Sequence, residues 1–110
     1  MCGISGYIDF KKNIDSEITI KKMNNAIKHR GPDGEGHFIH KNTTIGHVRL
    51  SIIDLNDNSN QPMFSTDGNL ALSFNGEIYN YQALKKELSN YSFETNSDSE
   101  VILAAYIKWG

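Results

Sequence analysis

The sequence is poor in cysteine and has no long hydrophobic run. Its single cysteine, Cys2, excludes a disulfide within the chain, so nothing indicates an oxidising compartment. The longest apolar stretch, Val101 to Ile107, is far too short to cross a bilayer. The opening residues, MCGISGYIDFKK, lack the basic flank and the apolar segment of a signal peptide. We therefore expect a cytoplasmic protein that makes no membrane contact.

The charges show no strong excess of either sign. There are 11 Lys and Arg residues against 13 Asp and Glu, which gives a net charge of -2. A chain with this balance has no overall field that attracts nucleic acid, so no nucleic-acid partner is predicted. The basic cluster of Lys21, Lys22, Lys28 and Arg30 fits the solvated side of a helix better than a phosphate site. A length of 110 residues, 38% of them apolar, predicts one small domain at 1–110.

Hydrophobic periodicity predicts a mixed α and β chain. The predicted strands are Gly3–Phe10, Gly36–His40, Thr43–Leu55 and Leu70–Asn75. In the first strand, Ile4, Ile8 and Phe10 fall on one face, with Ser5, Tyr7 and Asp9 on the other. His37 and His40 lie three residues apart on a strand and point to opposite faces, and neither has a zinc-type motif around it. The sequence therefore predicts no metal site.

Three helices are predicted from capping residues and apolar spacing. The first begins at Asp15 or Ser16, carries Ile20, Met23 and Ile27 on one face, and ends at Gly31-Pro32. The second is capped by Asn80 and places Tyr81, Leu84 and Leu88 on one face. The third opens with the capping box Ser97-Asp98-Ser99-Glu100 and has Val101, Ile102, Ala105, Tyr106 and Trp109 inside.

Cys2 is the first candidate for chemistry. A lone cysteine is usually a small buried hydrophobe. Removal of Met1 would change this, because the α-amine of Cys2, with an ordinary pKa of about 7.7–8.0, could accept the proton of its own thiol. Two other positions stay open on their local sequence alone. Asn75-Gly76 is typical of a hairpin turn, and Arg49, within an apolar stretch, must either point outward, as in a surface ion pair, or have a partner.

Six motifs occur in order along the chain. They are MCGISG at the start, HRGPDG from His29, GHVRLSIIDL from Gly46, QPM from Gln61, FNGEIYNY from Phe74 and SDSE from Ser97. Together they resemble the N-terminal glutaminase domain of glutamine-hydrolysing asparagine synthetases. Those domains are class II glutamine amidotransferases within the N-terminal-nucleophile hydrolases. Other amidotransferases share the terminal cysteine and the Asn-Gly pair, but HRGPD together with RLSIIDL favours the asparagine synthetase branch.

The resemblance implies a role for each matching residue. Cys2 would be the nucleophile, and the side-chain amide of Asn75 with the N–H of Gly76 would stabilise the oxyanion. Arg49 would bind the α-carboxylate of glutamine. The other implied substrate contacts are Glu77 and Asp98 at the ammonium group, and Leu50, Ile52 and Ile53 through their backbone. If Asp98 binds glutamine, Ser97 is left to cap the helix.

The implied fold is α+β, a four-layer αββα sandwich that is incomplete at its C-terminal side. The family domain is longer than this chain, so we expect this piece to be poorly stable and unable to make asparagine. No cofactor is expected here; ATP and Mg²⁺ belong to a C-terminal synthetase domain in the same chain, and a homodimer stays open. Two alternatives also stay open, a sugar or antibiotic precursor as the ammonia acceptor, and a fold that only binds an amino acid.

Overall fold

The computed structural model describes residues 1–51 and 59–110 and confirms a mixed α and β architecture. The strands are β1 (Gly3–Ile8), β2 (Gly34–His40), β3 (Thr43–Arg49), β4 (Met63–Phe64) and β5 (Ala71–Leu72). The helices are α1 (Ser16–Ala26), α2 (Tyr81–Glu87) and α3 (Ser99–Trp109), with a short 3-10 turn at Lys28–Arg30. No helix within these described ranges is long and apolar enough to span a membrane.

The larger sheet has the order β1-β3-β2, and both pairings are antiparallel. Gly3 at the start of β1 pairs with Val48 near the end of β3, and Gly34 at the start of β2 pairs with Arg49. This register brings three distant parts of the chain to one end of the sheet: residue 2, residues 30–34 and residue 49. The candidate site is built at that end.

Helix α1 packs on the face of β1 that carries the small and polar residues. The hydroxyl of Ser5 bonds Asn24 of α1 at 2.7 Å, and a Cβ on Gly46 would lie 2.5 Å from the same side-chain oxygen. The alternation of the two faces is as predicted. The apolar residues Ile4 and Ile8, however, are on the open face and are each 54% exposed. Close approach of the helix requires small residues beneath it, which explains why the less apolar face is covered.

The observed ends of β1 and α1 differ from the predicted ends because of contacts with nearby residues. Strand β1 ends at Ile8 rather than Phe10, because the buried carboxylate of Asp9 accepts the N–H of Ile14 at 2.9 Å and turns the chain. Helix α1 begins as predicted, since Asp15 accepts the N–H of Ile18. It ends at Ala26, four residues before the predicted end, and the segment up to Arg30 tightens into the 3-10 turn.

The predicted strands at Gly36–His40, Thr43–Leu55 and Leu70–Asn75 differ from the observed ones in length. Strand β2 begins two residues earlier than predicted, at Gly34, and β3 ends at Arg49. Residues 52–55 of the predicted strand lie outside the described residues. Strand β5 covers only Ala71–Leu72 and pairs with β4, which the sequence did not predict. Beyond β5, Phe74 bonds side chains rather than a neighbouring strand, so the prediction of strand to Asn75 is wrong.

Helices α2 and α3 form a small core around Leu88, Val101 and Ala104. Tyr81 and Leu84 pack against it, as the predicted face of α2 requires. The inward placement of Tyr106 and Trp109 is wrong, because they are 59% and 54% exposed. At 3.6 residues per turn, Tyr106 lies roughly 140° around the helix from Val101, which faces the core.

Candidate active site

Cys2 lies beside the chain that leaves β3. The N–H of Leu50 points to the sulfur at 3.3 Å, and the Cys2 sulfur lies 3.6 Å from the carbonyl oxygen of Leu50. The pairing of β1 with β3 explains the contact, because Gly3 is opposite Val48 and the next residues on each side come together. The sulfur is therefore held by backbone groups at the end of the sheet.

The HRGPDG motif holds the same end of the sheet. Arg30 donates from Nε to the carbonyl oxygen of Cys2 at 3.1 Å. Gly31 lies so close to β3 that a Cβ there would be 2.5 Å from the amide nitrogen of Arg49. The N–H of Asp33 bonds the carbonyl of Arg49, and its carboxylate accepts the N–H of Ser51, both at 2.9 Å. No catalytic role is predicted for this motif from the sequence, although its place among the six ordered motifs was a signal that it belongs to the site.

Arg49 projects from the last residue of β3 and is only 7% exposed. Its Nη1 donates to the side-chain oxygen of Asn60 at 3.0 Å. Asn60 reaches this position by passing close over β2, where a Cβ on Gly34 would lie 2.7 Å from its side-chain oxygen. The sequence left open whether Arg49 points outward in a surface ion pair or is buried with a partner. The structure buries the guanidinium at a cavity, so it is not a surface group.

Asn75 and Gly76 lie beyond β5, after Ser73 and Phe74. Gly76 packs on the ring of Phe74, and a Cβ on Gly76 would lie 2.7 Å from the ring atom Cζ. The absence of a side chain at residue 76 therefore permits this close turn. Asn75 is half-buried and Gly76 is exposed on the cavity side.

Asp98 connects the site to the start of α3. Its Oδ2 accepts the N–H of Ile78 at 2.7 Å, while Asp98 itself makes no side-chain capping bond to its helix. Capping is instead done by Ser97, whose hydroxyl accepts the N–H of Ser99 at 3.2 Å, as expected if Asp98 faces the cavity. The predicted capping box is otherwise wrong, because the carboxylate of Glu100 reaches back past Ser97 to the N–H groups of Glu94 and Thr95.

One cavity of about 400 Å³ unites most of the predicted site residues. Its lining includes Cys2, Arg49, Leu50, Asn75, Gly76, Glu77 and Asp98. It also includes Met1, Ser59, Gln61, Phe74, Tyr79, Ser97 and Ser99, which sequence reasoning did not assign to the site. Ile52 and Ile53 lie outside the described residues. A volume of this order suits a small molecule such as an amino acid.

The charges around the cavity are of both signs. Arg49 supplies a buried cation, Asp98 is only 8% exposed, and Glu77 is exposed at the rim. This arrangement complements a zwitterion, with a carboxylate at the arginine and an ammonium group at the acids. Within residues 1–51 and 59–110, no group of three or more His, Cys, Asp or Glu side chains is arranged to hold a metal ion.

His47 lies behind the cavity and is completely buried. Burial lowers the pKa of His47 below its ordinary 6.5, and the positive charge of Arg49 acts in the same direction, against the hydrogen bond to the Phe74 carbonyl. The ring is therefore neutral near pH 7. Because Nε2 lies 3.0 Å from a carbonyl oxygen, which only accepts, the proton of the neutral ring belongs on Nε2.

Comparison with known proteins identifies the class. The family model for the glutamine amidotransferase domain matches residues 1–110. The chain therefore belongs to the glutamine amidotransferase domain family, and the cavity at the end of the sheet is its candidate active site.

The relatives are more specific. Asparagine synthetase (glutamine-hydrolysing) 1 of Bacillus subtilis is 45% identical over 111 residues, which cover 96% of this chain and 17% of the relative. Asparagine synthetase B (glutamine-hydrolysing) of Escherichia coli is 40% identical over 112 residues, covering 100% of this chain and 20% of the relative. The amidase chry2 of Gibberella zeae is 37% identical over 123 residues, covering 100% and 18%. The chain spans 15 to 24% of the length of the curated relatives it matches.

Proposed function

We propose that this domain hydrolyses glutamine to glutamate and ammonia, with Cys2 as an N-terminal nucleophile after removal of Met1. Arg49 binds the α-carboxylate of glutamine, and Glu77 and Asp98 bind its ammonium group. Asn75 and Gly76 stabilise the oxyanion, and the backbone of Leu50, Ile52 and Ile53 completes the substrate contacts. The observation that carries the proposal is the shared cavity, where one sulfur, one buried cation and two carboxylates meet.

The reaction proceeds as two acyl transfers. The α-amine of Cys2 accepts the thiol proton, and the thiolate attacks the carbonyl carbon of the side-chain amide. The tetrahedral oxyanion receives hydrogen bonds from the side-chain amide of Asn75 and the N–H of Gly76. On collapse, the protonated amine gives its proton to the leaving nitrogen and ammonia departs. Water, deprotonated by the same amine, then hydrolyses the γ-glutamyl thioester and restores the thiol.

The first test is a substitution at Cys2 in the full-length protein. Cys2→Ala is expected to abolish ammonia release from glutamine while leaving glutamine affinity near the wild-type value, because the binding groups remain. Release of ammonia and glutamate is measured by coupled assay, and affinity is measured by calorimetry. A variant that still hydrolyses glutamine would contradict the role of the sulfur.

A second measurement addresses the terminal residue. A glutamine-like diazoketone is expected to alkylate Cys2, and the label should appear on the N-terminal tryptic peptide, which ends at Lys11. The same digest reports whether Met1 has been removed. If active protein retains Met1, the α-amine cannot be the base and the mechanism fails.

We also propose that the released ammonia is the nitrogen source for a second reaction, in a synthetase domain. Two of the three named relatives are glutamine-hydrolysing asparagine synthetases, and this chain covers only a small share of their length. We infer that a synthetase domain in the same polypeptide uses ATP and Mg²⁺ to convert aspartate and the released ammonia to asparagine. We also infer that the two sheets belong to the four-layer αββα sandwich of the N-terminal-nucleophile hydrolases, a class II amidotransferase domain only partly covered by 1–110.

A different acceptor is the second candidate. The similarity to an amidase of Gibberella zeae indicates that this domain also occurs in chains that are not named asparagine synthetases. The glutaminase half would be the same, and a sugar or antibiotic precursor would receive the ammonia. Supplying the full-length protein with ATP, Mg²⁺, glutamine and aspartate separates the two, because only a synthetase forms asparagine.

A further inference from the structure

Within residues 1–51 and 59–110, no strand holds the segment that carries the proposed oxyanion pair. Strand β5 ends at Leu72, yet Asn75 and Gly76 must keep a fixed position if they are to stabilise a developing charge. Their support comes instead from Phe74, whose ring packs against Gly76. The placement of the oxyanion pair therefore depends on what holds Phe74.

Phe74 is held on both sides of its backbone by side chains. Its N–H donates to Oε1 of Gln61 at 2.5 Å, and its carbonyl accepts from Nε2 of His47 at 3.0 Å. The preceding residue adds a third bond, because the hydroxyl of Ser73 donates to the carbonyl of Gly46 at 2.9 Å. Gln61 and His47 are 8% and 0% exposed, so water competes little for either bond.

Gln61 is itself placed by the sheet. Its backbone carbonyl lies against β2 at Gly36, where a Cβ would collide with it. The glutamine of the QPM motif thus reaches across to the chain after β5 from a path that follows β2. His47 approaches the backbone of the same residue from β3, so two elements of the rigid sheet determine where Phe74 lies.

We propose that Gln61 and His47 are positioning residues that set the oxyanion pair Asn75 and Gly76 by fixing the backbone of Phe74. The inference rests on the proposed glutamine hydrolysis and adds to it two residues that act through Phe74. Gln61 lines the cavity, so a direct contact with glutamine is the rival role. The two roles differ kinetically, because a positioning residue affects kcat and a substrate contact affects KM.

The test is Gln61→Met in the full-length protein, which keeps the volume of the side chain and removes the acceptor. We expect kcat for glutamine hydrolysis to fall about 10- to 100-fold, with KM within about threefold of wild type, since small displacements of reacting groups cost rates of this order. Gln61→Glu keeps an acceptor at the same place and should restore most of kcat. The matched control is Gln82→Met on the exposed side of α2, which should leave both constants unchanged.

His47 provides the second arm. His47→Phe removes the donor and should reproduce the fall in kcat, whereas His47→Gln keeps an N–H donor and should not. Because both residues hold the backbone of Phe74, the double variant should lose less than the product of the single losses. Additive losses, a rise in KM at constant kcat, or a lowered melting temperature with unchanged kcat would each overturn the proposal.

A structural readout separates this inference from the proposed function. Crystal structures of wild type and Gln61→Met should show a displaced backbone at Asn75 and Gly76 in the variant only. If wild type shows no hydrolysis that depends on Cys2, the proposed function fails, and these structures still decide whether Gln61 positions the pair. An unmoved backbone would refute the positioning role whatever the activity.

Discussion

Asp98 offers a test in which charge and structure can be separated. Its carboxylate accepts the N–H of Ile78 at 2.7 Å and is proposed to bind the ammonium group of glutamine. A carboxylate has about four acceptor positions, so the two tasks are compatible. Asp98→Asn keeps an oxygen for the N–H of Ile78 and removes the negative charge. The substitution should therefore weaken substrate binding while leaving the local fold intact.

The magnitude follows from the burial of Asp98. At 8% exposure the carboxylate is little screened by solvent, and a hydrogen bond to a charged group contributes about 1.5–3 kcal/mol. Its loss corresponds to about a 10- to 150-fold rise in KM for glutamine. Asp98→Ala should also cost about 1–3 kcal/mol of folding stability, because the N–H of Ile78 then loses its acceptor.

The assay compares glutamine with glutaramate, which is glutamine without the α-amine. The kcat/KM of wild type should be about 10- to 150-fold higher for glutamine than for glutaramate. Asp98→Asn should lose most of this preference. Glu87→Gln, at an exposed acid on α2, is the control and should change neither substrate. If Asp98→Asn impairs hydrolysis of glutamine and glutaramate equally, Asp98 does not bind the ammonium group and the reasoning is refuted.

Two further predictions concern Arg49, which lines the cavity, and the buried His47. Arg49→Lys keeps the charge but loses the planar guanidinium and its bond to Asn60. KM for glutamine should therefore rise about 10-fold or more, with kcat little changed. An unaltered KM in steady-state assays would exclude carboxylate binding by Arg49. The pKa of His47 lies below its ordinary 6.5 in the folded state. Below about pH 6.5, the unfolded chain therefore binds a proton at His47 that the folded protein does not bind. Stability should therefore fall as the pH drops below about 6.5, by at most about 1.4 kcal/mol per pH unit, down to the folded pKa. Urea unfolding between pH 7.5 and 5 should show this slope in wild type and a shallower one in His47→Gln; parallel curves would count against it.

Seven of the described residues that line the cavity could be predicted from the sequence, but the other lining residues and the hydrogen-bond partners could not. The ordered motifs indicated Cys2, Arg49, Asn75 and Asp98, because a motif names the residue types that a reaction needs. The bond from Arg49 to Asn60 depends on how closely the chain passes over Gly34, and no local pattern encodes that distance. A hydrogen-bond partner is a tertiary property, which a single sequence does not display.

Strand boundaries failed for a related reason. Alternating residues from Leu70 to Phe74 predict a strand, yet the backbone of Phe74 bonds the side chains of Gln61 and His47 instead of another strand. Periodicity reports which face of a segment is apolar and says nothing about what accepts its backbone N–H groups. The predicted strand therefore ran three residues too far, up to Asn75 of the proposed oxyanion pair.

The site combines two kinds of support, and each suits the group that it holds. Cys2 and Arg49 lie at the paired ends of β1 and β3, where the sheet register alone brings the proposed nucleophile and a cation together. Asn75 and Gly76 lie past the end of β5, where the backbone can turn sharply, as the proposed oxyanion role of this pair requires. A sharp turn cannot remain in a regular ladder, because its backbone groups would no longer face a neighbouring strand. Side chains from the sheet must then take over the bonds, and this need explains why a buried histidine and a buried glutamine converge on Phe74.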